Sequence, residues 1–249
     1  MRKFKAGLFT LLLLSVVLQP VFAGAWVQEK GKSQHIFSHY FYTTDRVFER
    51  YGKLDHIGGR GRFTKNEFNY YTEAGIFRRL TAVGNFFYDI VRFKNDSGTD
   101  TNSGFGDQEM GLRWNLAQKP FVTSLQGLVI FPLYPGGKGT PLGNRDVGLE
   151  PKILFGKSFH LINIPSYINL EGGVRFRIGA PSDQLRYQIL WGVKPWKKWE
   201  YTIAVEGIEG LRNEEPLRTS NNVTKRWVFS TRCGAQFRGD LKIISRCRK

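Results

Sequence analysis

Fourteen charged side chains share one phase of a two-residue alternation that recurs along this 249-residue chain: Lys65, Glu67, Glu73, Asp107, Glu109, Arg113, Glu150, Lys152, Glu171, Arg175, Arg177, Arg186, Glu206 and Arg232. Seven are acidic and seven basic, a balance that lets neighbours pair where an unpaired charge would be costly. The set reads as the lining of a narrow polar conduit or binding cavity, or as a charge-paired filling that holds a small barrel together. Hydrolytic chemistry is not expected, because it needs a nucleophile, a base and an orienting group in reach of one another. The four histidines are His35, His39, His56 and His160, and alternation puts Ser38 on the face opposite His39. Hydrogen bonding at an interface or in a lumen is the simpler role for them. Scattered histidines and two cysteines, Cys233 and Cys247, lack metal-ligand spacing, so neither a metal nor another cofactor is expected. The run Gly136-Gly137-Lys138-Gly139-Thr140 lacks the leading glycine and the following helix of a phosphate loop, and reads as a flexible external loop.

The elements that carry these residues are strands. Leu80, Ala82, Gly84, Phe86, Tyr88 and Ile90 alternate with Thr81, Asn85 and Asp89, and Met110, Leu112, Trp114 and Leu116 alternate with Asp107, Glu109 and Arg113. Ile168 to Ile178 and Leu185 to Val193 repeat the pattern. Ten strands are expected, near 33–44, 62–75, 80–94, 105–117, 121–131, 146–156, 165–178, 184–194, 199–207 and 224–237.

Alternation is shared by soluble sandwiches, lipocalins and membrane barrels. Three features favour the last. Strands of ten to fourteen residues exceed the usual five or six and suit a tilted membrane crossing. Connections alternate between long ones, such as 45–61, 95–104, 132–145 and 208–223, and short ones, such as 76–79 and 118–120, although 157–164 is intermediate and 179–183 breaks the order. Aromatics including Phe37, Tyr40, Tyr70, Tyr88, Trp191 and Trp199 gather near strand ends, as interfacial girdles require. The expected fold is all-β: an antiparallel transmembrane β-barrel of about 10–12 strands in an outer membrane.

Residues 1–23 read as a cleaved signal peptide, with Arg2, Lys3 and Lys5 before an apolar stretch from Ala6 to Leu18 and small residues at Val21-Phe22-Ala23. Those 13 apolar residues fall short of a spanning helix. The barrel is expected over 24–237, followed by a basic C-terminal tail or extra strand at 238–249. Without the leader the formal charge falls from +16 to +13, which points to an acidic partner. For an exported protein that partner is membrane lipid or lipopolysaccharide; nothing resembles a nucleic-acid-binding motif, and no such partner is expected.

Several segments resemble a known family. Gly24-Ala25-Trp26 followed by Lys30-Gly31-Lys32-Ser33-Gln34 is similar to the mature start of XagA-like proteins. The stretch Lys65-Asn66-Glu67-Phe68-Asn69-Tyr70-Tyr71-Thr72-Glu73-Ala74-Gly75 and then Arg79-Leu80-Thr81 resembles their second hairpin. Gly104-Phe105-Gly106-Asp107-Gln108-Glu109-Met110-Gly111 resembles the Gly-Phe-Gly-Asp strand start of the wider family of meta-pathway phenol-degradation transporters. The resemblance spans roughly residues 24–116 and implies an outer-membrane barrel that passes small, hydrophobic or aromatic solutes as a passive channel. The alternatives are a structural or adhesive barrel with a plugged lumen, and a soluble periplasmic lipid-binding β-protein. One departure is that the chain runs on past Phe237, where such barrels commonly end on an aromatic residue.

Overall fold

The computed structural model describes residues 24–48, 54–58, 60–134, 139–143, 145–179, 182–196, 199–211, 228–233 and 237–240. Residues 1–23, where a signal peptide is expected, the segment 212–227 and the last nine residues, with Cys247, lie outside them. The described regular structure is all strand: β1 (Lys32–Thr44), β2 (Arg46–Phe48), β3 (Leu54–His56), β4 (Arg62–Phe77), β5 (Leu80–Asn95), β6 (Gly98–Phe105), β7 (Asp107–Ala117), β8 (Val122–Pro132), β9 (Val147–Leu161), β10 (Ile164–Ile178), β11 (Gln184–Trp196), β12 (Trp199–Gly210), β13 (Val228–Cys233) and β14 (Phe237–Asp240). No described helix is long and apolar enough to cross a membrane.

Every pairing in the main sheet is antiparallel and between neighbours, in the order β13-β12-β11-β10-β9-β8-β7-β5-β4-β1-β14. β6 and β7 pair with β5 in succession, so they form one stave interrupted at Gly106. At the ends of the path β13 lies on β12 while β14 lies on β1, and only residues 234–236 separate the two in the chain. One run of chain therefore carries both edges, and the curled sheet amounts to ten staves. β2 and β3 form a separate external hairpin within the 45–61 connection.

The polarity of this sheet is inverted relative to a soluble protein. Met110, Leu112 and Trp114 are 48%, 49% and 55% exposed, whereas Arg113 between them is 2% exposed. Glu73, Gln108, Asn115, Glu150 and Asn169 are also buried. Apolar side chains on the outer face and polar ones inside are what a hydrocarbon surround and a narrow interior demand.

Two connections differ from expectation. The segment 95–104 is not a long loop: β5 and β6 meet in a tight turn at Asp96-Ser97, where Ser97 N–H donates to Asn95 Oδ1 at 3.0 Å. Its polar sequence, Thr99-Asp100-Thr101-Asn102-Ser103, shows no hydrophobic alternation because both faces there are wet. The segment 157–164 is likewise strand, except for the two-residue turn Ile162-Asn163 with φ of 49° and 64°. That is hairpin-turn backbone, but Ile-Asn lacks the usual Asn-Gly signature. The second change adds a short turn to the end that already carries 78–79 and 118–121, whereas the turn at Asp96-Ser97 is a tight one at the end of longer connections.

Candidate functional site in the barrel interior

The segment before β1 lies inside the barrel at the short-turn end. Gly31, with φ of 78°, turns the chain inward, and its N–H donates to Gly75 O at 2.9 Å. Side chains from β5, β7, β8 and β10 then bond the backbone of the strap 24–31 as if it were another strand, and side chains of β1 and β4 hold its Gln28. Ala25 N–H donates to Asn169 Oδ1 at 2.9 Å, Gln28 N–H to Thr81 Oγ1 at 2.8 Å, and Ser124 Oγ to Ala25 O. Gln28 Nε2 reaches Gln34 Oε1 at 2.9 Å and Glu73 Oε2 at 2.7 Å. Trp26 packs edge-on against Tyr167, with centroids 5.9 Å apart. A Cβ at Gly75 would lie 2.0 Å from Glu29 O, and one at Gly156 would lie 2.7 Å from the Trp26 ring, so these staves are bare where the strap passes.

Arg113 ties strap to wall. Its Nη1 donates to Glu73 Oε1 at 2.7 Å and to Trp26 O at 3.0 Å, its Nε to Gln126 Oε1 at 2.9 Å, and its Nη2 to Tyr71 OH at 3.0 Å. A second cluster surrounds Glu150, which meets Arg175, Arg186 at 3.1 Å and Lys152 at 2.8 Å. Glu109 also pairs with Arg175, and Glu171 lies 3.9 Å from Lys152. In a third cluster Lys65 lies between Glu67 at 2.6 Å and Asp89 at 3.1 Å. Glu206 accepts from Gln188 at 2.5 Å. Asp107 lies beside Gly143 of the external connection, and Arg177 N–H donates to Asp183 Oδ1 at 2.8 Å. Arg232 is placed by its backbone opposite Thr202; its side chain, like that of Cys233, lies outside the described residues.

A cavity of about 410 Å³ remains between these clusters. Eight of the fourteen expected residues line it: Lys65, Glu67, Glu109, Arg113, Lys152, Glu171, Arg186 and Glu206. Glu73, Glu150 and Arg175 stand behind them as partners. The cavity also has apolar walls, from Ile36, Val83, Phe87, Leu128, Leu190 and Ile208. Sequence reasoning passed over these, although Val83 and Phe87 share the phase of Thr81, Asn85 and Asp89. A second, aromatic pocket of about 640 Å³ opens on the outer face between Phe37, Phe68, Tyr70, Phe86, Tyr88 and Phe105, and the two cavities share Ser38, Asn69 and Phe87. These three residues form a wall common to both; beside it, near Gly106, the Gln108 side chain substitutes for ladder bonds by accepting from Phe87 N–H and donating to Phe87 O, both at 2.9 Å.

At the opposite end the connection after β8 folds back over the mouth. Asp100 accepts from Thr140 N–H at 2.6 Å and from Thr140 Oγ1 at 2.7 Å, and the Thr140 hydroxyl and amide hold its carboxyl below the ordinary range. Leu142 is buried by the same fold. Among the described residues no group of three His, Cys, Asp or Glu side chains is placed to hold a metal ion.

No family model matches this chain, and no curated protein is significantly similar to it. Among solved structures it is similar to an outer membrane channel from Pseudomonas putida F1, with a TM-score of 0.58, 14% identity, and coverage of 86% of this chain and 83% of that one. The fold is that of an outer-membrane β-barrel. In membrane barrels of this fold an outward apolar belt meets hydrocarbon and short turns mark the periplasmic end.

Proposed function

We propose that the chain resides in the outer membrane of a Gram-negative bacterium, after loss of residues 1–23, and is a passive channel for small solutes with hydrophobic or aromatic parts. The observation that carries this reading is that an amphipathic interior cavity and an outward aromatic pocket lie on either side of one wall, formed by Ser38, Asn69 and Phe87. The charged clusters suit a polar group, and the Val83, Phe87 and Leu128 side chains interleaved with them suit an apolar one. On this reading the fourteen charged residues tune passage, and the strap closes the periplasmic end.

A second reading, a structural or adhesive barrel with a plugged lumen, draws on the dense bonding of that strap. Planar-bilayer conductance and liposome uptake of an aromatic solute separate the two. The native protein is expected to admit the aromatic solute faster than a sugar of similar size. Deleting residues 25–30, or crowding Trp26 with Gly156→Leu, should raise ionic conductance. If the native and strap-deleted proteins pass neither ions nor the aromatic solute, the barrel is structural. A soluble lipid carrier would lack the outward belt of Met110, Leu112, Trp114 and Ile189.

A further inference from the structure

The outer face of β1, β4, β5 and β6 places two complementary surfaces one above the other. The lower is the aromatic pocket framed by Phe68, Tyr88 and Phe105, with Tyr88 and Phe105 in edge-on contact at 5.4 Å. Following the same face of β5 toward the long-connection end gives Ile90, Arg92 and Lys94, and the strand register sets Arg62 of β4 directly opposite Lys94. All three basic side chains are exposed. Their neighbours on that face are Thr64, Thr99 and Thr101; among the described residues the next carboxylate in this phase is Asp96 of the turn, which lies 4.0 Å from Arg60. Asp89 and Asp100, the nearest strand acids, sit in the opposite phase and are engaged by Lys65 and Thr140. Arg92 lies four residues beyond Tyr88, about 13 Å along the strand. The apolar band ends between them.

We infer that this face binds lipopolysaccharide, with acyl chains in the aromatic pocket and the phosphates of the lipid A headgroup on Arg62, Arg92 and Lys94. Three exposed cations at the outer interface complement a doubly phosphorylated headgroup, and a groove of about 640 Å³ open to the bilayer complements a lipid with several chains on one head. A phospholipid with one phosphate would leave most of this charge unanswered. The inference rests on the outer-membrane location and orientation but not on conduction, so it stands or falls separately from the channel reading.

The test uses the folded protein in neutral detergent micelles with purified lipid A, and with phosphatidylglycerol as the competing source of phosphate. Native mass spectrometry and a fluorescent lipid A titration read binding, and heat-modifiable migration confirms that each variant is folded. The native protein should retain lipid A at least tenfold more tightly than phosphatidylglycerol. The triple variant Arg62→Ala, Arg92→Ala, Lys94→Ala should lose at least tenfold. The charge-conserving Arg92→Lys, Lys94→Arg variant should stay within a few-fold of native. An equal loss of charge at the other end, through Arg78→Ala, Arg79→Ala and Lys119→Ala, should change little. Salt at 1 M should weaken native binding strongly and the triple variant only slightly. Equal affinity for the two lipids, an unaffected triple variant, or an equal loss in the Arg78 set would each overturn the assignment.

Discussion

Arg113 shows how a charged residue in a narrow barrel can be more than filler. It is 2% exposed, its carboxylate partner Glu73 is fully buried, and its guanidinium reaches Gln126, Tyr71 and the backbone of Trp26. Removing one member of a buried pair leaves the other uncompensated, which costs about 3–5 kcal/mol. Arg113→Ala is therefore expected to destabilise by that order in urea unfolding from lipid vesicles, and to free the strap as well. Arg113→Met combined with Glu73→Gln should recover most of the stability, because neither substitution then leaves a buried charge alone. The sequence marked both residues as inward. It held no sign that they converge on a segment more than forty residues upstream, because alternation reports a face and not a partner.

The strands with an outward apolar face were the most legible elements. In β7, Met110, Leu112 and Trp114 are apolar while Glu109, Gly111 and Arg113 are not, a contrast that only opposite solvents can impose. Leu112→Arg or Ile189→Arg, at outward positions 49% and 50% exposed, should each cost roughly 2–4 kcal/mol of insertion, measured as the folded fraction in vesicles. Strand segments beyond the band were illegible for the complementary reason: β6 is polar on both faces from Thr99 to Ser103. Its fixed point is Asp100, bonded to Thr140 of the connection after β8. Hydrogen bonds from Thr140 lower the Asp100 carboxyl below its ordinary value near 3.8, so the contact is present at neutral pH and lost as pH falls through the lowered value. The Thr140 amide resonance should shift over that acid window in solution NMR, and Asp100→Asn should abolish the titration. A shift centred above pH 5 would contradict this account.

At the scale of the whole molecule, closure depends on a short stretch. β14 covers only Lys32–His35 of β1, yet without it β1 presents an unpaired edge. Deleting residues 237–249 should abolish the folded band in unboiled gel migration, while deleting only 241–249 should preserve it. This boundary was open in the sequence, where the basic run after Phe237 suited a tail or a further strand; the described strand continues to Asp240. The strap was harder to read. Residues 24–31 have no periodicity, and their partners, such as Asn169 for Ala25 at a separation of 144 residues, are set by curvature rather than by local spacing.

That separation bears on the order of assembly. Thr81, Ser124 and Asn169 come from three staves, so the receptacle for the first residues of the fold exists only after most of the sheet has formed. Of the described residues, the part synthesised first is thus the part seated last or nearly last. Until it arrives, a growing or newly closed barrel carries an interior lined with unanswered donors and acceptors, a transient wet state. A synthetic peptide of residues 24–31 would find the same receptacle in a barrel lacking its own, which makes the interior of this protein, in effect, a peptide receptor for its own beginning.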